Sequence, residues 1–104
     1  MTTATLEHQP GITGGVDAHK NTHHAVALEY RGIRLGDREF PTTATGYQCL
    51  LDWLAGFGPI DRIGVESTGT YAAGLTRHLT VAGVRVVEVN TAHSHTRARQ
   101  ARTM

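Results

Sequence analysis

Gly64-Val65-Glu66-Ser67-Thr68-Gly69 decides how this chain is read, together with a shorter copy of its first half at Gly15-Val16-Asp17. Each copy places an acid directly after a valine and two positions after a glycine, at the end of a short apolar run. Side chains alternate along a strand, so Asp17 and Glu66 share a face with Gly15 and Gly64, while Val16 and Val65 point the other way. If the two strands are adjacent and parallel, the acids stand one strand spacing apart, about 5 Å between backbones. The glycines leave room beside each carboxylate. Such a pair can hold a hard divalent cation, because Mg²⁺ takes oxygen ligands and is usually held by one or two carboxylates plus substrate phosphates. The plainer alternative makes both acids solvated strand-end residues that serve turns or helix caps.

The surrounding pattern asks for strands and helices in alternation. Ile60 to Glu66 is the strand that carries the longer copy. Before it, Gly46 to Ala55 sets Tyr47, Leu50, Leu51 and Leu54 at helical spacing; the hydroxyls of segment 41–45 offer caps, and Gly56, Gly58 and Pro59 end the helix. A helix between two strands favours a parallel crossover. After Glu66, the Ser67-Thr68-Gly69-Thr70 turn leads to a second helix from about Tyr71 to Ala82, with Leu75, Leu79 and Ala82 on one stripe and Gly83 where a C-cap belongs. Val84 to Val89 is a final strand rich in β-branched residues.

Towards the N-terminus, Ile12 to Asp17 is a short strand. His23 to Tyr30 is a second, with Val26, Leu28 and Tyr30 on one face and Ala25 and Ala27 on the other. Arg31-Gly32 turns the chain back into Ile33 to Phe40, an antiparallel return with Ile33, Leu35 and Phe40 inward. Asp37, Arg38 and Glu39 mark it as solvent-facing and as an edge. The element order is β-β-β-α-β-α-β, an α/β arrangement.

A chain of 104 residues fits one domain. With 39% hydrophobic and 18% charged residues and no long apolar run, it carries no membrane segment. Residues 1–10 lack the basic start and apolar core of a secretory signal and read as a flexible lead-in, and the protein as cytoplasmic. Cys49 is the sole cysteine, which excludes an intrachain disulfide and a cysteine-based zinc site; its apolar neighbours favour a buried, inert thiol. The net charge of +1 does not by itself imply nucleic acid. The charge is uneven, however: Arg97, Arg99 and Arg102 crowd the end behind His93 and His95, with no acid after Glu88. Such a basic tail can meet phosphate backbones or stand as a solvated chain end.

Weaker candidates accompany the acid pair. The Ser67-Thr68-Gly69-Thr70 turn precedes a helix N-terminus and could bind phosphate through backbone N–H groups, but it lacks the lysine and glycine pattern of a P-loop, and capping the helix is its plainer role. His23-His24 and His93-Ser94-His95 could ligate metal, although adjacent strand histidines point to opposite faces. His19 and Lys20, just after Asp17, are better placed to touch a substrate phosphate.

Taken together, Gly15-Val16-Asp17-Ala18-His19-Lys20, Val65-Glu66-Ser67-Thr68-Gly69-Thr70-Tyr71, then Leu75, Leu79, Gly83, Val86-Val87 and Asn90 resemble the N-terminal domain of DEDD transposases of the IS110 group. The similarity covers about residues 12 to 100, and its Glu-Ser-Thr-Gly-x-Tyr segment is specific. The resemblance implies a ribonuclease-H-like (RuvC-like) fold, a mixed five-stranded sheet in the order 3-2-1-4-5. It implies that Asp17 and Glu66 are the first two acids of a catalytic tetrad and ligands of Mg²⁺ or Mn²⁺. It also implies DNA as substrate and a structured guide RNA as partner; the candidate nucleic-acid contacts are Lys20, His19, Ser67, Thr68, Arg97, Arg99 and Arg102, and a homo-oligomer is expected through surfaces that the missing helices would cover. On this reading residues 1–10 are a lead-in, 11–92 a partial RuvC-like domain and 93–104 a basic tail that starts a truncated helix.

In the family the third and fourth acids follow in an Asp-x-x-Asp segment, and a separate domain supplies a serine nucleophile. Neither occurs within these 104 residues. The expectation is a transposase fragment that binds its cation weakly and does not cleave DNA alone. Two rival readings are a non-catalytic nucleic-acid-binding and oligomerisation module, and half of an actin-like sugar kinase or ATPase that binds nucleotide at the 67–70 turn.

Overall fold

The computed structural model describes residues 11–67 and 69–90. Five strands, β1 (Ile12–Ala18), β2 (Thr22–Leu28), β3 (Arg34–Pro41), β4 (Ile60–Ser67) and β5 (Val86–Asn90), form one sheet in the order β3-β2-β1-β4-β5. Helix α1 (Ala44–Ala55) joins β3 to β4, and α2 (Ala73–Val81) joins β4 to β5. The three N-terminal strands pair antiparallel, whereas β4 runs parallel to both β1 and β5. The element order and the strand order 3-2-1-4-5 are those the sequence predicts.

Both helical crossovers step across the sheet in the same direction, β3 to β4 and β4 to β5. A single right-handed sense therefore puts both helices on one face. There Leu50 and Leu54 of α1 and Leu75 and Leu79 of α2 close over Val16, Ile63 and Val65, all 3% exposed or less. At nine residues α2 is too short to hold itself helical in water. Burial of Leu75 and Leu79, about 1.5–3 kcal/mol each, holds it on the sheet.

Local chemistry sets the ends of the helices. Thr43 is the N-cap of α1, and its hydroxyl accepts the Gly46 N–H at 3.0 Å. Helix α2 ends in a paired motif: Gly83 N–H donates to the Thr80 carbonyl and Val84 N–H to that of Leu79, both at 3.0 Å. Gly83 takes φ of +86° to make that turn. Gly83→Ala is expected to lower stability by about 1–2 kcal/mol, the usual cost of a left-handed residue with a Cβ, and urea denaturation midpoints would register it.

Several local expectations are corrected. Helix α2 begins at Ala73, not Tyr71, because residues 69–72 form turns; its N-cap is Ala72, which makes no side-chain cap. Ser67 instead closes its own turn, its hydroxyl 3.2 Å from the Gly69 carbonyl and 3.3 Å from the Gly69 amide. Ile33 and Leu35 are not inward but 52% and 42% exposed, and Tyr30 lies beyond the end of β2. They surround a hairpin turn built by polar atoms, in which the Glu29 carboxylate accepts the Arg31 and Ile33 amides and Gly32 adopts φ of +91°. Cys49 is exposed on α1, since the buried positions of that helix are Gly46, Leu50 and Leu54. Strand β5 starts two residues later than expected, at Val86.

His23 lies on the helix-covered face, fully buried, stacked on Tyr47 with ring centroids 5.8 Å apart. Neither ring nitrogen has a hydrogen-bond partner among the described residues. Burial holds its pKa below the ordinary 6.5, so the fold favours the neutral ring. Between the folded and unfolded pKa values the unfolded chain binds more protons. The stability His23 supports is therefore intact above pH 6.5 and is lost as pH falls through the lower folded value. His23→Phe should flatten the acid side of the stability profile between neutral pH and mild acid, measured by urea midpoints; an unchanged slope would rule this out.

Candidate functional site: a carboxylate pair on the open sheet face

The register between β1 and β4 pairs Gly15 with Gly64, Val16 with Val65 and Asp17 with Glu66. The two Gly-Val-acid copies therefore lie side by side. Val16 and Val65 enter the core, while Asp17 and Glu66 stand exposed on the opposite face, which no described helix covers. The neighbouring glycines differ in purpose from Gly14, one residue earlier. A Cβ on Gly14 would stand 2.8 Å from Leu54 Cδ1, so that glycine lets α1 approach. A Cβ on Gly15 would meet nothing within 4 Å, and one on Gly64 nothing closer than the Gly14 carbonyl at 3.9 Å. These two form the bare floor of an open groove of about 570 Å³ beside the acids.

The groove has a second charged side. His24, the register partner of Asp17 on β2, faces it too. Its Nε2 donates to Asp37 Oδ2 at 2.6 Å, and Arg34 Nη2 donates to the other Asp37 oxygen at 2.8 Å. The hydrogen bond from His24 and then that from Arg34 hold the Asp37 carboxyl below the usual carboxylate range. Sequence reasoning treated Asp37 only as an edge marker and passed over Arg34. Strand alternation alone would put Arg34 and Asp37 on opposite faces; a bulge at Leu35, where Ala27 pairs with Gly36 but Leu28 with Arg34, brings both to the side of His24, and periodicity carries no signal of it.

The other predicted residues separate. His19 joins the acid pair, its Nε2 lying 3.1 Å from Asp17 Oδ2. Lys20 is exposed in the turn between β1 and β2, just past the acid end of β1. His23 and His24 point to opposite faces, as alternation requires. By the same alternation Ser67 lies on the other side of β4 from Glu66. Thr68, Arg97, Arg99 and Arg102, like His93 and His95, lie outside the described residues. Among the described residues no three His, Cys, Asp or Glu side chains converge on a common metal position. The pair offers two carboxylates and open space, which suits a cation that takes its remaining ligands from water and phosphate.

No curated protein sequence matches the chain. Similar solved structures include a ROK family glucokinase from Streptomyces griseus in complex with glucose and AMPPNP, at a TM-score of 0.59 and 16% identity over 77% of this chain and 33% of that one. A Ppx/GppA phosphatase from Aquifex aeolicus aligns at a TM-score of 0.55 and 10% identity, over 78% of this chain and 36% of that one. At such identities the likeness establishes the fold alone, and the chain spans about a third of the length of either protein. A family model, that of the DEDD transposases, matches residues 14–104, a span that contains both Asp17 and Glu66. The chain belongs to the DEDD transposase family of the IS110 group.

Proposed function

We propose that this chain supplies the first half of a metal centre for DNA transposition, with Asp17 and Glu66 as the ligands of one Mg²⁺ or Mn²⁺ ion. The observation that carries the reading is the in-register pairing of Asp17 with Glu66 on adjacent parallel strands, on the open face beside two bare glycines. Oxygen-only donors of this kind fit a hard cation. When bound, such an ion polarises a phosphoryl oxygen and makes bound water a nucleophile. The residues themselves have simpler tasks. Asp17 and Glu66 concentrate negative charge at the ends of β1 and β4, and His19 braces one Asp17 oxygen at 3.1 Å. Gly15 and Gly64 keep the approach to both acids open.

DNA is the partner a transposase requires, and Lys20 at the acid end of β1 is a proposed backbone contact together with Ser67, Thr68 and the arginines Arg97, Arg99 and Arg102. A structured guide RNA, which rests on the family, completes the proposal, together with a homo-oligomeric state and a cytoplasmic location. No described helix is long and apolar enough to cross a membrane. Titration of Mn²⁺ against the wild type and Glu66→Gln tests the metal centre. A pure nucleic-acid-binding or oligomerisation module would be indifferent to that substitution.

A further inference from the structure

We propose that Arg34, held by Asp37 and His24, is the residue that grips a phosphodiester of a DNA strand lying in the groove beside the carboxylate pair. The inference rests on the reading of Asp17 and Glu66 as cation ligands. Of the side chains that line the groove, the acids lie on β1 and β4, and Arg34 of β3 carries the fixed positive charge, beside its partner Asp37 and with Glu39 further along the same face of β3. Gly15 and Val26, paired in register, line the floor between the acids and Arg34. Two carboxylates repel a phosphate, and a bound cation only offsets them. A strand that passes the cation therefore needs a positive partner on its other side, and the β2–β3 side of the groove supplies one.

Arg34 suits that task in detail. Its side chain is 58% exposed and pairs through Nη2 with Asp37 at 2.8 Å, which leaves other donors of the fork for a ligand. Asp37 is fixed in turn by His24, whose backbone is the register partner of Asp17. The bracket ties the position of the guanidinium to the strand that borders the acids. A strand presents successive phosphodiesters, so one can face the cation and another the guanidinium. Arg38 provides the contrast. It is an exposed arginine of the same edge strand, but its register partner Ala25 belongs to the helix-covered face.

The test is binding of a fluorescently labelled single-stranded DNA oligonucleotide to the 104-residue chain in the presence of Mn²⁺, followed by anisotropy at several salt concentrations. Arg34→Ala should weaken binding about tenfold, the worth of a charge-assisted hydrogen bond, and reduce the slope of log K against log salt by about one. Arg34→Lys should restore the slope but not the full affinity, since an ammonium cannot reproduce the fork. Arg38→Ala should leave both close to wild type. Equal effects of Arg34→Ala and Arg38→Ala, or none from Arg34→Ala, would overturn the proposal. So would an Arg34 effect on an RNA oligonucleotide that is missing with DNA. If Glu66→Gln removes cation binding while Arg34→Ala does nothing, only this inference fails; if Glu66→Gln leaves cation binding intact, the metal centre fails first.

Discussion

Gly46→Ala is expected to cost about 3 kcal/mol or more and to lower the melting temperature by about 12–24 °C. A Cβ at this position would stand 2.0 Å from the Pro41 carbonyl oxygen and 2.9 Å from its carbon. Those atoms are backbone and are held from two sides. Pro41 is paired with Thr22 at the end of β3, and its carbonyl accepts the Thr43 amide at 2.9 Å. Moving Gly46 away would break the N-cap, because its own N–H is the one that Thr43 caps. Either adjustment separates β3 from α1, the first link of the crossover that brings β4 beside β1. A small domain has a margin of only about 5–15 kcal/mol, so the loss is a large share of it. Gly36→Ala is the control, since its Cβ would make an ordinary 3.4 Å contact with the Phe57 ring. Thermal melting of the two variants decides the matter, and a Gly46→Ala variant that melts with the wild type would defeat the packing argument.

The requirement at Gly46 is invisible in the sequence, and the reason applies elsewhere. Periodicity reports which face a side chain takes, so the alternation in β1 and β4 was enough to place Asp17 and Glu66 together once the strands were taken as neighbours. It does not report how closely another backbone approaches, as Pro41 approaches Gly46. Nor does it say which face of a strand gets covered. In β2 the small residues Ala25 and Ala27, with His23, are fully buried on the helix-covered face, while the larger Val26 and Leu28 remain only half-buried on the open face. Hydrophobicity was equally misleading at Ile33 and Leu35, where the turn chemistry of Glu29 and Gly32 places apolar side chains in solvent. The basic side of the groove was missed because it depends on three strands at once: His24 on β2 and Arg34 and Asp37 on β3 acquire meaning only beside Asp17 on β1.

Asp17→Asn and Glu66→Gln should each lower affinity for Mn²⁺ on the order of 100-fold, a loss at the top of the range seen even when only an outer partner of a metal ligand is removed. Both acids are exposed at the strand ends, and neither makes a packing contact that an amide would disturb, so melting temperatures should stay near wild type. The double variant is the sharper measurement. If the acids share one ion, the first substitution already reduces the site to a lone surface carboxylate, and the second should add little. Two independent surface acids would instead lose affinity additively. Isothermal titration of the four proteins gives the coupling directly. A coupling near zero would mean that Asp17 and Glu66, though aligned by the β1–β4 register, act separately. Strong coupling would mean that the register exists to bring two weak ligands within reach of one cation, which explains why the two Gly-Val-acid strands must be neighbours and parallel.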